Sequence, residues 1–403
     1  MAARLFVVYD LSAVTLPEVV DGLDGLGALT FVVAEPHSPH VAGVLPLLED
    51  FGAVAGVGEV LGGRGPAPDG VVTFSERMVP AAIRIAERYG LPGPGPVDLL
   101  TDKYAQRRRL AEHGVDALEC VRITSPGQWR EAFGRIGAPA IIKPARGEGS
   151  RNVVLVTDED AGLAVVRSVF AEATEEALLV EGFLVGEDRG PYGDYVSVES
   201  ATAAGTTSHI AVTGKWPLAP PFREPGQFWP DALDAGEHAA VLDLVGKALH
   251  ALDVDTAITH TEVKLTSAGP RIIEVNGRLG GNVNDLSIRS TGVDLVRVAG
   301  QIALGEAVAA SFPAPEKVVF QHSELAPTEP CRVAEVVGGT ALRRSAHVDR
   351  YRTLVRSNEV IDAGVSTKHL DMICGHAADH DEMVRVMAAL RAGVTFAFEA
   401  VDE

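Results

Sequence analysis

The stretch ITHTEVKLTSAGPRIIEVNGRLGG, residues 258–281, reads as a β-hairpin. Ser267-Ala268-Gly269-Pro270 is a turn signal between two runs that alternate polar and apolar residues. Folding the stretch about Ala268 sets Glu262 opposite Glu274. Side chains alternate along a strand. One face therefore carries His260, Glu262, Lys264, Glu274 and Asn276, and the other Val263, Leu265, Ile273 and Val275. The apolar face belongs to a core. On the polar face two carboxylates stand opposed, their Cβ atoms roughly 5 Å apart. Like charges so placed repel by about 3 kcal/mol at an effective dielectric near 20. A solvated hairpin would screen that repulsion, and a divalent cation would reverse it. Carboxylate and amide oxygens suit Mg²⁺ or Mn²⁺, so Glu262, Glu274 and Asn276 are candidate ligands. RLGGN then places Arg278, a flexible glycine pair including Gly281, and Asn282 at the end of the same strand.

Upstream, APAIIKPARGEGSRNVVLV (138–156) reads as a strand ending at Lys143, a Gly-rich turn through Gly147, Glu148, Gly149 and Ser150, and a second strand. Glycines let backbone N–H groups approach a phosphate, and a lysine adds a point charge. A second strand follows where a P-loop requires a helix. Taken alone, such a hairpin is more often a structural turn than a phosphate clamp. A third piece, LLVEGFLVGE (178–187), is a buried strand running into Glu181, Phe183 and Leu184. Its backbone can meet an adenine edge, with Glu187 in reach of ribose hydroxyls. Alone, an apolar strand with a terminal acid is common.

These pieces in this order, led by the Lys103-bearing helix of TDKYAQRRRLAEHGVD (101–116), resemble the ATP-grasp superfamily over residues 70–305. Four of the seven lysines, 103, 143, 215 and 264, fall in its motif regions. The stretches VEGFLVGE, GDYVSVES, IAVTGK, HTEVKL and IIEVNGRLGG are most similar to the L-amino acid ligases of the alanine–anticapsin ligase type. The resemblance implies an ATP- and Mg²⁺-dependent enzyme that makes an acyl phosphate and passes the acyl group to an amine. It implies Lys103 and Lys143 on the α- and β-phosphates, Gly147, Gly149 and Ser150 in a flap, and Glu181, Phe183, Leu184 and Glu187 around adenosine. It further implies Glu262, Glu274 and Asn276 on the metal, Arg278 on the developing charge, and Lys215 before a substrate loop. Where such a relative carries a bulky aromatic beside the amino-acid pocket, Asn282 gives a roomier, more polar one. Glu76 is either a ligand for a substrate ammonium or a helix N-terminal acid favoured by the macrodipole. His260 either joins the substrate site or bonds a strand end. Trp216, Trp229 and Phe222 read as lid or core packing, and Arg107-Arg108-Arg109 as a solvated helix face. Within the fold two rivals remain, a carboxylase and a thiol- or carrier-acylating ligase. A non-catalytic nucleotide-binding protein would lack one of Lys143, Arg278 or the metal ligands, and all are present.

The rest of the chain fits an α/β and α+β multidomain protein, with an ATP-grasp fold behind a Rossmann-like N-terminal domain. Arg4–Tyr9, Thr30–Ala34 and Val71–Phe74 read as buried strands, and Pro17–Leu26 and Arg77–Tyr89 as helices. GLPGPGP (90–96) marks a boundary. The expected units are 1–98, an α/β domain; 99–185, a nucleotide lid with a helix at 159–173; 186–312, the metal-bearing half; and 313–403, an antiparallel appendage. A net charge of −20, from 55 acidic and 35 basic residues, argues against non-specific binding to nucleic acid or anionic membranes. Three scattered cysteines suit a reduced cytoplasmic setting. No apolar run approaches the roughly 18 residues a membrane span needs. The partners expected are an amino acid or other small carboxylate and an amine, with a homodimer suggested by the superfamily.

Overall fold

The computed structural model describes residues 2–147, 149–172, 175–362, 364 and 367–401. Glu148 of the expected flap and Ala173, the expected end of a helix, lie outside them. Four parallel strands open the chain: β1 (Arg4–Val8), β2 (Ala28–Val33), β3 (Ala53–Gly56) and β4 (Gly70–Val72), in the order β3-β2-β1-β4. Their apolar residues are covered by helices, as a parallel sheet requires. Strand β3 and the helix Pro39–Phe51, whose N-cap is Ser38, add to the elements expected from sequence.

The lid sheet is antiparallel: β5 (Cys120–Ile123), β6 (Ala140–Pro144), β7 (Val154–Val156) and β8 (Leu178–Gly182), in the order β5-β8-β6-β7. Its core is its own, with Trp129, Ile142, Val166, Leu178 and Val180 packed together. The helix Lys103–Glu112 leads into it. Asp102 caps that helix by accepting from the Tyr104 and Ala105 N–H groups, at 3.0 and 3.2 Å.

A second antiparallel sheet holds β9 (Tyr195–Ala203), β10 (Thr206–Lys215), β11 (Gly226–Trp229), β12 (Ala257–Thr266) and β13 (Gly269–Asn276). The C-terminal segment supplies β14 (Val318–His322), β15 (Cys331–Val337), β16 (Val348–Thr353), β17 (Val360–Ile361), β18 (Asp371–Ala377) and β19 (Thr395–Ala400). The strands of this segment pair antiparallel. Strands β14, β18 and β16 extend the second sheet to eight strands, in the order β13-β12-β9-β10-β11-β14-β18-β16. Only β15, β17 and β19 form a separate small sheet. The eight-stranded sheet shares a core with the N-terminal one. Ala201, Ile258, Leu279, Val283 and Leu295 pack with Leu5, Val7 and Phe31. Among the described residues no helix is long and apolar enough to cross a membrane.

The hairpin β12–β13 pairs Glu262 with Glu274 and His260 with Asn276, as its sequence predicts. The turn is one residue tighter than expected, because Thr266 pairs with Gly269. A bulge between Glu262 and Val263 absorbs the difference. It reverses one assignment: Ile272 is fully buried in the core, whereas Ile273 faces the cleft.

Candidate active site

Between the lid sheet and the eight-stranded sheet lies a cavity of about 690 Å³. Lys103 and Lys143 enter it from the lid side, with Gly147, Gly149 and Ser150 of the flap. Glu181, Phe183 and Leu184 line it where β8 ends. Opposite stand Glu262 and Glu274 of the hairpin, His260, Lys215, Arg278, Gly281 and Asn282. Residues scattered over 180 positions thus meet in one cleft.

The charges pair across it. Lys143 Nζ lies 2.6 Å from Glu181 Oε1, and Lys103 Nζ 3.1 Å from Glu274 Oε2. Lys103 also donates to the Gly147 carbonyl at 2.7 Å, joining flap to hairpin. Burial works to raise the Glu181 pKa, but Arg107 and Lys143 outweigh it and bring it to about 2. Glu274 is likewise buried, and Lys103 and Lys143 hold it at about 2. Burial lowers the pKa of Lys143 with help from Arg107; for Lys103, Glu274 and Glu76 overcome burial and raise it. Asn276 donates its amide to Glu274 Oε1 at 3.1 Å, which leaves its oxygen for another partner. Lys215 Nζ donates to Gln227 and Glu224, at 2.9 and 3.1 Å.

No protein-family model matches the chain. It is 28% identical over 265 residues to alanine–anticapsin ligase of Bacillus subtilis (strain 168), covering 61% of this chain and 53% of that relative. It is 24% identical over 271 residues to carnosine synthase 1 of Homo sapiens, covering 61% of this chain and 32% of the relative. The chain therefore spans about half the length, or less, of these curated relatives. Its backbone matches the crystal structure of an L-amino acid ligase from Bacillus licheniformis with a TM-score of 0.79 at 18% identity, over 98% of this chain and 99% of that one. The chain has the ATP-grasp fold.

Within this fold three predicted residues, Glu76, Glu187 and Asn276, are absent from the cavity wall among the described residues, Asn276 lying behind Glu274, to which it donates. Glu76 is buried, and its Oε2 lies 3.0 Å from Arg278 Nε. Its carboxylate pairs with that guanidinium at the edge of the cleft. Glu187 is half-buried and pairs with Arg189 at 3.5 Å; it is absent from the cavity wall among the described residues. Trp216 and Trp229 are core, while Phe222 lines the cavity and tilts toward Phe183.

The cleft also depends on residues that carry no pattern in the sequence. Arg107 is no solvated cation. It is buried, bonds Glu181 Oε2 at 2.8 Å, and donates to the Ile272 and Ile273 carbonyls at 2.6 and 2.9 Å. Its neighbour Arg108 does remain in solvent, paired with Glu112. Glu199 is fully buried, bonds His260 Nδ1, and accepts the Gly280 N–H at 3.1 Å. Gly280 is required there, because a Cβ would stand 2.3 Å from His260 Nδ1. Burial disfavours the His260 imidazolium, yet Glu199 and Glu262 raise its pKa to about 9. Glu224 accepts from the Tyr195 hydroxyl at 2.8 Å, and Lys215 keeps its pKa low against burial. The available signal was a lone acid inside an otherwise apolar and hydroxylic strand, YVSVESATA.

Proposed function

We propose that this chain is an ATP-dependent carboxylate–amine ligase acting on an amino acid or similar small carboxylate, releasing ADP and phosphate. One observation carries the reading: a single cavity brings Lys103 and Lys143 of the lid side against Glu262, Glu274 and Arg278. The similarity to alanine–anticapsin ligase, carnosine synthase 1 and an L-amino acid ligase supports the same chemistry. In this reading residues 99–185 and 186–312 are the two halves that hold ATP, between 1–98 and 313–403.

Lys103 and Lys143 hold the nucleotide phosphates, which would displace their present pairing with Glu274 and Glu181. Phe183 and Leu184 border the base. The donor set of Glu262, Glu274 and Asn276 fits Mg²⁺: two opposed carboxylates and an amide oxygen, with cations now offsetting their charge. Bound there, Mg²⁺ would neutralise phosphate charge. An oxygen of the substrate carboxylate attacks the γ-phosphorus, and the bond to the β–γ bridging oxygen breaks. The amine nitrogen, neutral once its ammonium has given one proton to solvent, then attacks the acyl carbon; the bond from that carbon to the phosphate oxygen breaks, and the second nitrogen proton leaves with the phosphate. Arg278, oriented by Glu76, and the Gly281 N–H would take the charge that develops on the acyl oxygen.

The test supplies ATP, Mg²⁺ and amino acids in all pairs, follows phosphate release, and weighs the products of active wells. A product mass equal to both amino acids less water supports the reading, and Glu274→Ala should abolish it. Silence across all pairs, with ATP shown to bind, would discard proteinogenic amino acids as substrates.

A further inference from the structure

We infer that Gln227 and Gln321 are positioning residues that clamp the Gly280–Asn282 turn and leave the Gly281 N–H to the cavity. This rests on the ligase reading above.

The turn can be accounted for group by group. The Gly280 N–H goes to Glu199 Oε2 at 3.1 Å, and its carbonyl accepts from Val283 at 3.4 Å. The Asn282 N–H goes to the Ala13 carbonyl at 3.2 Å. Gln227 Nε2 donates to the Gly281 carbonyl at 2.8 Å, and Gln321 Nε2 to the Asn282 carbonyl at 3.1 Å. Among the described residues the Gly281 N–H is the backbone group of the turn with no partner, and Gly281 is exposed to the cleft. Asn282 has φ +58°, a left-handed conformation that a non-glycine residue adopts at a cost. Such a turn persists only when its surroundings hold it.

Both glutamines are almost fully buried, and every polar side-chain atom they own is committed. Gln227 Oε1 accepts from Lys215 at 2.9 Å, so one amide fixes Lys215 and Gly281 relative to each other. Gln321 Oε1 accepts from Gln227 at 3.3 Å, and its Nε2 also reaches Asp285 Oδ2 at 2.8 Å. Asp285 is itself held by Arg289 and Arg350, each at 2.8 Å. The clamp thus runs from the cleft into β14 and β16. Apolar side chains would fill this space without the desolvation that two amides require. A fully satisfied buried network specifies geometry instead.

The experiment uses Gln227→Met and Gln321→Met, which keep length and remove the hydrogen bonds, with Gln227→Glu as a milder variant that keeps the Lys215 contact. Hydrogen exchange in the substrate-free protein should show the Asn282 amide exchanging at least tenfold faster. With the substrate pair found by the screen, kcat should fall tenfold or more while KM for ATP stays within twofold. Unchanged exchange, or wild-type kcat in the folded variants, would overturn the proposal. A fall in thermal stability with kcat per folded molecule intact would do the same, since it reveals packing alone. Faster exchange in the variants beside a wild type that neither binds ATP nor ligates any pair would leave the clamp standing and remove the ligase reading.

Discussion

Glu181 shows how a buried charge is tolerated. Its carboxylate is 4% exposed and bonded by Arg107 and Lys143. Removing one partner leaves a charge that burial penalises. Arg107→Ala should therefore lower the unfolding free energy by about 3–5 kcal/mol, read from urea melts. The pH sign follows from the depressed pKa. Stability from Glu181 is full above pH 4.5 and is lost as pH falls toward 2, a loss of about 3 kcal/mol. Asp371 runs the other way. It is fully buried, and burial raises its pKa from 3.8 to about 6, although it accepts the Glu324 N–H at 2.8 Å. Its protonated form favours folding, so that contribution is complete below pH 3.8 and gone above 6. Asp371→Asn should stabilise the protein at pH 8 by up to about 3 kcal/mol and do nothing at pH 3.5. Paired thermal melts at the two pH values would decide it.

The hairpin β12–β13 separates what was legible in the sequence from what was not. Opposed Glu262 and Glu274 follow from a two-residue period and a visible turn, so they needed no tertiary information. The bulge left no such trace, because slipping the register by one residue changes no residue type. Ile272→Ala should thus cost about 2–5 kcal/mol of stability, as a core truncation does. Ile273→Ala should leave the urea midpoint nearly unchanged and shrink the thermal shift that ATP produces. Equal losses from both would return Ile273 to the core face. Arg107 was misread for a related reason: its partner Glu181 lies 74 positions away, and a helix read alone shows three like arginines. Gln227 and Gln321 sit in short apolar strands, where a single amide carries no pattern. The parallel N-terminal sheet was legible in its strongest strands, while the sparsely buried helix Pro39–Phe51 gave no clear period.

Taken whole, the molecule completes its eight-stranded sheet with strands from the C-terminal segment. Strand β14 pairs with β11 from Gly226↔His322 to Trp229↔Val319, and β18 extends it. A chain ended at residue 312 would expose the β11 edge and lose Gln321. We expect it to aggregate on expression instead of giving a smaller nucleotide-binding protein, which size-exclusion chromatography would check.

The separate core of the lid sheet has a further consequence. Side chains of β1 and β2 interlock with the eight-stranded sheet, whereas among the described residues Ile123, Trp129, Ile142 and Val180 cluster with apolar neighbours from residues 121–180. We expect this unit to open and reclose cooperatively while the remainder stays native. At rising sub-denaturing urea, the amides of β5, β6 and β8 should converge on one opening free energy, below that of β9 and β12. ATP should lift that lower value first, so nucleotide would act as the fastener of one foldon and not as a general stabiliser of the chain.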